Sequence, residues 1–431
     1  MTLRGDNDFD PAEPHYNDSG QTVGGFATIC SPQFTAHMGN SLAIFYDADL
    51  ALYHWSAADP AQAAALGGDV FVARHRQLYL DGAGLDGRLG FRVGFQRFAD
   101  PTGLMIHHWL GLASASWRIG DDVRLTGFVG QMPDRTWEGV VLDGNNFNRD
   151  IFVYGVRADV GKADGGGAAG ADGYKAANGA GANADSRGST LSAAVHAIED
   201  RHEMGRRLWL IAPNLHLAGG LGPTSYGLHG SLDAVIQVGG QEGGQLGGGA
   251  ADIFAWAAQA SLGATRGALA WRLNLLALSA DDSHDGNDFD GAFRGAAKNS
   301  SATRLLTEDE NRDWFDNLDE RMSAFRGGFF ALRAGLALSD LALSWQASPG
   351  LRAQLIVGSA FVLEKANALG ETYVGSEVQV GVDLRHDEAL GGLISAGVVL
   401  PGAAGAALVN RLDLGATEPI WMATASLTAR F

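Results

Sequence analysis

Trp421-Met422-Ala423-Thr424-Ala425-Ser426-Leu427-Thr428-Ala429-Arg430-Phe431 closes the chain, and its alternation decides the fold. The odd positions carry Trp, Ala, Ala, Leu, Ala and Phe, while the even positions from 424 carry Thr, Ser, Thr and Arg. Successive strand residues point to opposite faces, so this is a strand with one apolar face and one polar face. Its length suits a bilayer crossing, which takes ~9–11 residues of tilted strand.

The same period recurs upstream. From Tyr226 to Val238 the even positions are Tyr, Leu, Gly, Leu, Ala, Ile and Val, opposite His229, Ser231, Asp233 and Gln237. From Leu42 to Leu52 Asp47 and Asp49 oppose an apolar face, and from Val374 to Leu384 Glu377, Gln379 and Asp383 oppose a valine-rich one. From Leu269 to Ala277 the apolar odd positions oppose Arg272 and Asn274. A soluble barrel fills its interior with apolar side chains. Charges sharing a face with Ser, Gln and Gly instead fit a wet lumen inside a lipid-facing wall, because lipid satisfies no polar group. A last strand ending on a C-terminal Phe resembles the closing strand of bacterial outer-membrane barrels.

Composition agrees. The chain has 431 residues, 61 glycines, 46% hydrophobic residues and 19% charged residues, against about 25% charged in an ordinary soluble domain. A single cysteine excludes an intrachain disulfide framework and any metal site built from several thiolates. The net charge of −18 argues against nucleic acid as a partner. One uncharged stretch, Leu390 to Val409, is long enough for a spanning helix, but Pro401-Gly402 favours a strand to Leu400 followed by a loop. Met1-Thr2-Leu3-Arg4-Gly5-Asp6 lacks the apolar core of a signal peptide. The outer-membrane reading therefore takes the numbering to start beyond one, with a cytosolic protein as the alternative.

The sequence thus predicts an all-β fold, a transmembrane antiparallel β-barrel of about 18 strands occupying 1–431 as one domain, with short periplasmic turns and long extracellular loops. Tight connections at 119–121, 265–267 and 349–350 alternate with long ones near 56–68, 133–149, 239–251, 281–340 and 401–418. The segment 161–188, rich in Gly, Ala, Asn and Asp, falls on the short-turn side and reads as a flexible insertion. In 281–340, Thr307-Glu308-Asp309-Glu310 is a capping-box pattern, followed at helical spacing by Trp314, Leu318, Met322 and Phe325. Such a helix caps the mouth, folds inward as a constriction, or packs on neighbouring loops. Trp55, Trp109, Trp137, Trp256 and Trp421 fall at or near strand ends, as an interfacial girdle requires.

Arg76-Gln77-Leu78-Tyr79-Leu80-Asp81, followed by Gly90-Phe91-Arg92-Val93-Gly94-Phe95-Gln96-Arg97-Phe98-Ala99-Asp100, resembles a paired-strand signature of the bacterial alginate-export porins, with Phe95 where that family carries Arg. Val374-Gly375-Ser376-Glu377-Val378-Gln379-Val380 and Gly397-Val398-Val399-Leu400-Pro401-Gly402 are similar to its later strand and Pro-Gly stop, and Leu3-Arg4-Gly5-Asp6-Asn7-Asp8 to a truncated first strand. The resemblance implies passive export of an exopolysaccharide through an arginine-lined lumen.

A channel selects by pore width and lumen charge, not bond chemistry. The phase of the strands makes Arg92, Gln96, Arg124, Arg157, Asp159, His229, Asp233, Arg272, Asn274, Glu377, Asp383, Arg385 and Arg430 the candidate pore-lining residues. Arg4, Asp6, Asp47 and Asp49 share the inner face. The two signs balance, which weakens a dedicated polyanion path. Each charge also has a structural explanation as a lumen ion pair, with Arg157–Asp159 and Asp383–Arg385 as examples. Arg74 and Arg76 share a phase with Leu78 and Leu80 and need a bulge.

His107, His108, His196 and His229 match no metal spacing. No cofactor is expected. Asp281-Asp282-Ser283-His284-Asp285-Gly286 resembles the start of a calcium loop but has Ala292 where the ligating Glu belongs, leaving at most weak Ca2+ binding in 281–290. The expected partners are membrane lipid and lipopolysaccharide, a polysaccharide or small solute in the lumen, and a periplasmic protein. A diffusion porin for small solutes and a barrel housing a partner protein are the alternatives. An outer-membrane enzyme would need a Ser/His/Asp or carboxylate cluster, and the sequence offers none beyond Ser231 and His229 sharing a face.

Overall fold

The computed structural model describes residues 2–5, 22–39, 41–57, 69–132, 151–161, 189–200, 207–221, 227–242, 251–281, 289–295, 303, 330–331, 334–386, 389–409, 417 and 419–429. The wall strands are β1 (Thr2–Gly5), β2 (Thr22–Cys30, resuming as Gln33–His37), β3 (Leu42–Ala57), β4 (Asp69–Gly84), β5 (Leu89–Ala99) and β6 (His107–Ile119). They continue as β7 (Val123–Met132), β8 (Ile151–Val160), β9 (Thr190–Asp200), β10 (Arg207–Gly220), β11 (Leu228–Glu242) and β12 (Ala251–Arg266). The last are β13 (Leu269–Leu278), β14 (Leu336–Ser348), β15 (Leu351–Phe361), β16 (Tyr373–Arg385), β17 (Leu390–Pro401) and β18 (Ile420–Ala429). Each pairs antiparallel with its successor. β1 pairs with both β2 and β18, setting Arg4 opposite Val23 and Met422, so the sheet returns on itself as a barrel.

The connections define two rims. Turns such as 85–88, 120–122, 267–268 and 349–350 form the turn rim, and the opposite strand ends, such as Ala57, Met132, Leu278 and Pro401, mark the loop rim. The β8–β9 connection leaves from the turn rim, but its residues 162–188 lie outside the described residues. So do the expected capping-box helix, most of the calcium-like run, Arg430 and Phe431. Leu390 to Val409 is the strand β17 followed by a short helix, α1 (Ala403–Val409), rather than a plain loop. β6 starts at His107, so Leu104, Met105 and Ile106 belong to the connection before it. Arg74 and Arg76 are separated by a register shift in β4: Asp47 faces Gln77, Ala48 faces His75, and Arg74 comes opposite Asp49.

The outward face is apolar wherever the wall side chains are described. On β11 Ile236 is 45% exposed while the next residue, Gln237, is 0% exposed. Leu232, Val238, Phe254, Leu275, Leu343, Val357, Val380 and Ile394 repeat this exposure around the ring. A continuous apolar belt of this kind requires a lipid solvent.

The lumen is not uniformly wet, and here the expectation needs correction. Toward the loop rim, inward residues are apolar and packed: Leu110, Leu112, Phe128, Ile151, Val153, Ile198, Leu208, Leu210, Ile253, Leu278 and Leu336 form one buried cluster. Leu104, Met105, Ile106 and Phe293 complete it from connections folded inside. Toward the turn rim, inward residues are polar. Alternation fixes the face of a residue but not its height, so it could not show this zoning.

Gly94 illustrates how closely β4 and β5 approach. Its φ is +140°, and an added Cβ would lie 2.3 Å from the Leu78 carbonyl oxygen and 2.7 Å from Tyr79 Cα. Both are backbone atoms that no rotamer change relieves. Gly94→Ala is expected to cost about 1–3 kcal/mol of strain, read as a lower urea midpoint for the barrel refolded in vesicles.

Candidate functional site

The candidate site is the inner wall of the polar zone. On β5 Arg92 points inward. Its Nη2 donates to Asp81 Oδ2 at 3.1 Å, and its Cζ lies 4.3 Å from the centroid of the Tyr79 ring. Tyr79 stacks in turn on Phe45 at 4.9 Å. Gln96 is buried and donates from Nε2 to the Leu112 carbonyl at 3.3 Å.

A polar row crosses the neighbouring strands. The registers run Arg118 to Arg124, Arg124 to Asp159, Asp159 to Ser192, Ser192 to His216, His216 to Asp233 and Asp233 to Gln259. Arg157 Nε and Ser192 Oγ both donate to Asp159 Oδ1, at 2.7 and 2.6 Å. His216 Nδ1 is 2.5 Å from Asp233 Oδ1. A parallel row lies beside it: Ser231 bonds Ser261 at 2.7 Å, Ser261 faces Asn274, and Asn274 Nδ2 donates to Asp340 Oδ1 at 2.8 Å. His229 Nδ1 lies 3.2 Å from the Gly227 carbonyl. Arg272 faces Gly263, which faces His229. Glu377 is fully buried across Gly358 from Asp340.

Asp383 departs from the expected ladder. Its partner is Arg352, directly opposite on β15, with Nε at 2.9 Å. Arg385 is exposed at the turn rim, where its backbone N–H donates to the Gly350 carbonyl. Arg352 and Asp81 complete inner ion pairs that the phase argument left out, although both sit on the polar phase of their strands. Arg118, Arg124, Arg272 and Arg385 carry no ion pair among the described residues.

Two connections narrow the barrel from inside. The 100–106 connection is tied to the buried Asp100, which accepts from Thr102 N at 3.0 Å, Thr102 Oγ1, Met105 N at 3.1 Å and Ile106 N at 2.8 Å. The second brings Phe289–Asp290 alongside β12 in parallel, then turns Phe293 and Arg294 into the lumen. Arg294 pairs with Asp290, and its backbone N–H and C=O are both bonded by the side chain of Gln237. Sequence reasoning missed the first, and for 281–340 it offered an inward fold only as one placement of a later helix, not of Phe293 and Arg294. The apolar triplet Leu104-Met105-Ile106 after Asp-Pro-Thr-Gly was the available signal for the first. No group of three His, Cys, Asp or Glu side chains among the described residues is arranged to hold a metal.

No protein-family model matches the chain, and no curated protein matches it. Among solved structures it is similar to OccK7 (OpdD) of Pseudomonas aeruginosa, with a TM-score of 0.53 and 11% identity over 99% of this chain and 96% of that one. OpdQ of the same organism gives 0.52 and 9% over 100% and 95%, and OccK9 (OpdG) 0.51 and 12% over 99% and 97%. These are outer-membrane porins of the OprD/Occ group, so the fold here is that of an integral outer-membrane barrel. They overturn the alginate-export resemblance, which rested on short motifs. Those motifs have local causes in this wall: Gly94 permits the close approach of β4, Arg92 pairs with Asp81, and Pro401-Gly402 ends β17 ahead of α1.

Proposed function

We propose that the chain is a diffusion channel for small solutes in a bacterial outer membrane, with the turn rim facing the periplasm. The observation that carries this reading is the lumen narrowed from within by the Asp100-tied connection and the Phe293 segment. An inward-packed apolar zone suits solutes of a few rings or fewer and obstructs a wide hydrated polymer. Ion pairing cancels part of the inner charge, as in Arg92–Asp81, Arg157–Asp159 and Arg352–Asp383. Arg118, Arg124, Arg272 and Arg385, which carry no ion pair among the described residues, sit toward the turn rim, where such cations raise the local concentration of anions over cations.

The test is conductance of the purified barrel in a planar bilayer, with reversal potentials under a salt gradient and added sugars and uronate polymers. The expected result is a steady conductance with modest anion preference, indifferent to a long uronate polymer on either side. Deep block by that polymer, or cation preference, would overturn the reading.

A further inference from the structure

Three consecutive strands assemble a constellation that lies far apart in sequence. The registers set Ser192 of β9 opposite His216 of β10, and His216 opposite Asp233 of β11. All three face the polar zone of the lumen. Side chains directly opposite on one face of an antiparallel pair have Cβ atoms about 4.5–5.5 Å apart, within reach of a hydrogen bond from a hydroxyl to an imidazole. His216 Nδ1 lies 2.5 Å from Asp233 Oδ1, and the carboxylate is 8% exposed against 26% for the imidazole. A buried carboxylate on Nδ1–H fixes the ring and leaves Nε2 as the proton acceptor. The hydrogen bonds of this row run Arg157–Asp159–Ser192 on one side and His216–Asp233 on the other. The one break between them falls between the hydroxyl and the imidazole.

We propose that Ser192, His216 and Asp233 form a hydrolytic triad that cleaves small carboxylic esters entering the lumen from the turn rim. A turn about the Ser192 Cα–Cβ bond moves Oγ from Asp159 to His216 Nε2. Oγ then attacks the ester carbonyl carbon while Nε2 takes the hydroxyl proton, and the carbonyl electron pair moves onto oxygen. The Arg157 guanidinium, held by Asp159 through Nε, and Arg124 beside it are the cationic donors on that side of the serine. Collapse of the oxyanion breaks the ester C–O bond, and His216 returns the proton to the leaving alcohol. Water, activated by the same nitrogen, cleaves the acyl-serine to a carboxylic acid and restores Ser192. Nothing is oxidised or reduced. Ser192 and His216 are catalytic, and Asp233 is a positioning residue.

The experiment uses the full barrel folded in detergent micelles, treated with a fluorophosphonate probe and with p-nitrophenyl acetate. Wild type is expected to carry the probe on Ser192. Ser192→Ala abolishes labelling. His216→Asn slows it and ester turnover by at least about 100-fold, and Asp233→Asn changes the pH dependence of acylation. Heat-modifiable gel migration and bilayer conductance establish that each protein is folded. A folded wild type that takes no probe at Ser192, or labelling unmoved by His216→Asn in a folded variant, overturns the proposal.

Discussion

Asp100→Ala is expected to raise the single-channel conductance several-fold. The Asp100 carboxylate accepts four hydrogen bonds from Thr102, Met105 and Ile106, three of them from backbone amides. Leu104, Met105 and Ile106 are fully buried, so those amides have no water to turn to. Each buried donor left without an acceptor costs about 1–3 kcal/mol, which sums to about 3–9 kcal/mol if the three act independently. The remaining ties of the connection are the Asp100 N–H to the Ile106 carbonyl, the Gly103 N–H to the Asp100 carbonyl and the Leu104 N–H to Thr102 Oγ1. Three bonds of ordinary net strength, about 1 kcal/mol each, fall at or below the low end of that penalty. The loop then leaves the lumen and takes its apolar triplet with it. Asp100→Asn keeps one carbonyl oxygen and is expected to fall between. Conductance, together with hydrogen exchange at Met105 and Ile106, checks this. Unchanged conductance with both amides still protected would show that packing alone keeps the loop inside.

That connection also marks where the sequence stopped being legible. Period-two alternation was legible on the strands quoted for it because each outward residue must satisfy lipid. On β18 Trp421 and Leu427 point out while Thr424 points in, where it bonds Ser395. The count of about 18 strands came from the strand runs themselves, with the alternating connection lengths as independent support. Partners across strands were a different matter. Arg157 and Asp159, two apart on one strand, do pair, yet the equally spaced Asp383 and Arg385 do not. Asp383 meets Arg352 because the register sets them opposite, and register is fixed by the whole ring of strands rather than by either strand alone. The bulge at Arg76 interrupts the alternation that the reading depended on. Ser192, His216 and Asp233 come together for the same reason that they were invisible: two registers align them, and no local spacing encodes either one. Family-like motifs misled because glycine at a close approach and arginine beside aspartate are general devices of barrel walls.

The face assignment itself supports the second large effect. Ile236→Arg is expected to destabilise the barrel in vesicles by about 2–4 kcal/mol, the cost of an arginine on the lipid face near the bilayer centre. Ile236 sits near the middle of β11, opposite Trp256, with both side chains substantially exposed. An arginine there has no acid on its own face to pair with among the described neighbours, and its long stem reaches the interface only with strain. Ser231→Arg, five residues earlier on the same strand, places the same charge inside. It loses the bond to Ser261 and gains the neighbourhood of Asp233, so its cost is expected to stay within about 1 kcal/mol. Urea titrations of both variants refolded in vesicles, followed by tryptophan fluorescence, give the comparison. Equal costs, or the larger cost at Ser231, would mean that the apolar face of β11 is not the one in lipid, and the inward placement of His216, Asp233 and Arg157 would fall with it. The two substitutions introduce the same side chain on one strand but on opposite faces. They differ also in depth and in the residue replaced, so the sign of the difference, rather than its size, reports which face is in lipid.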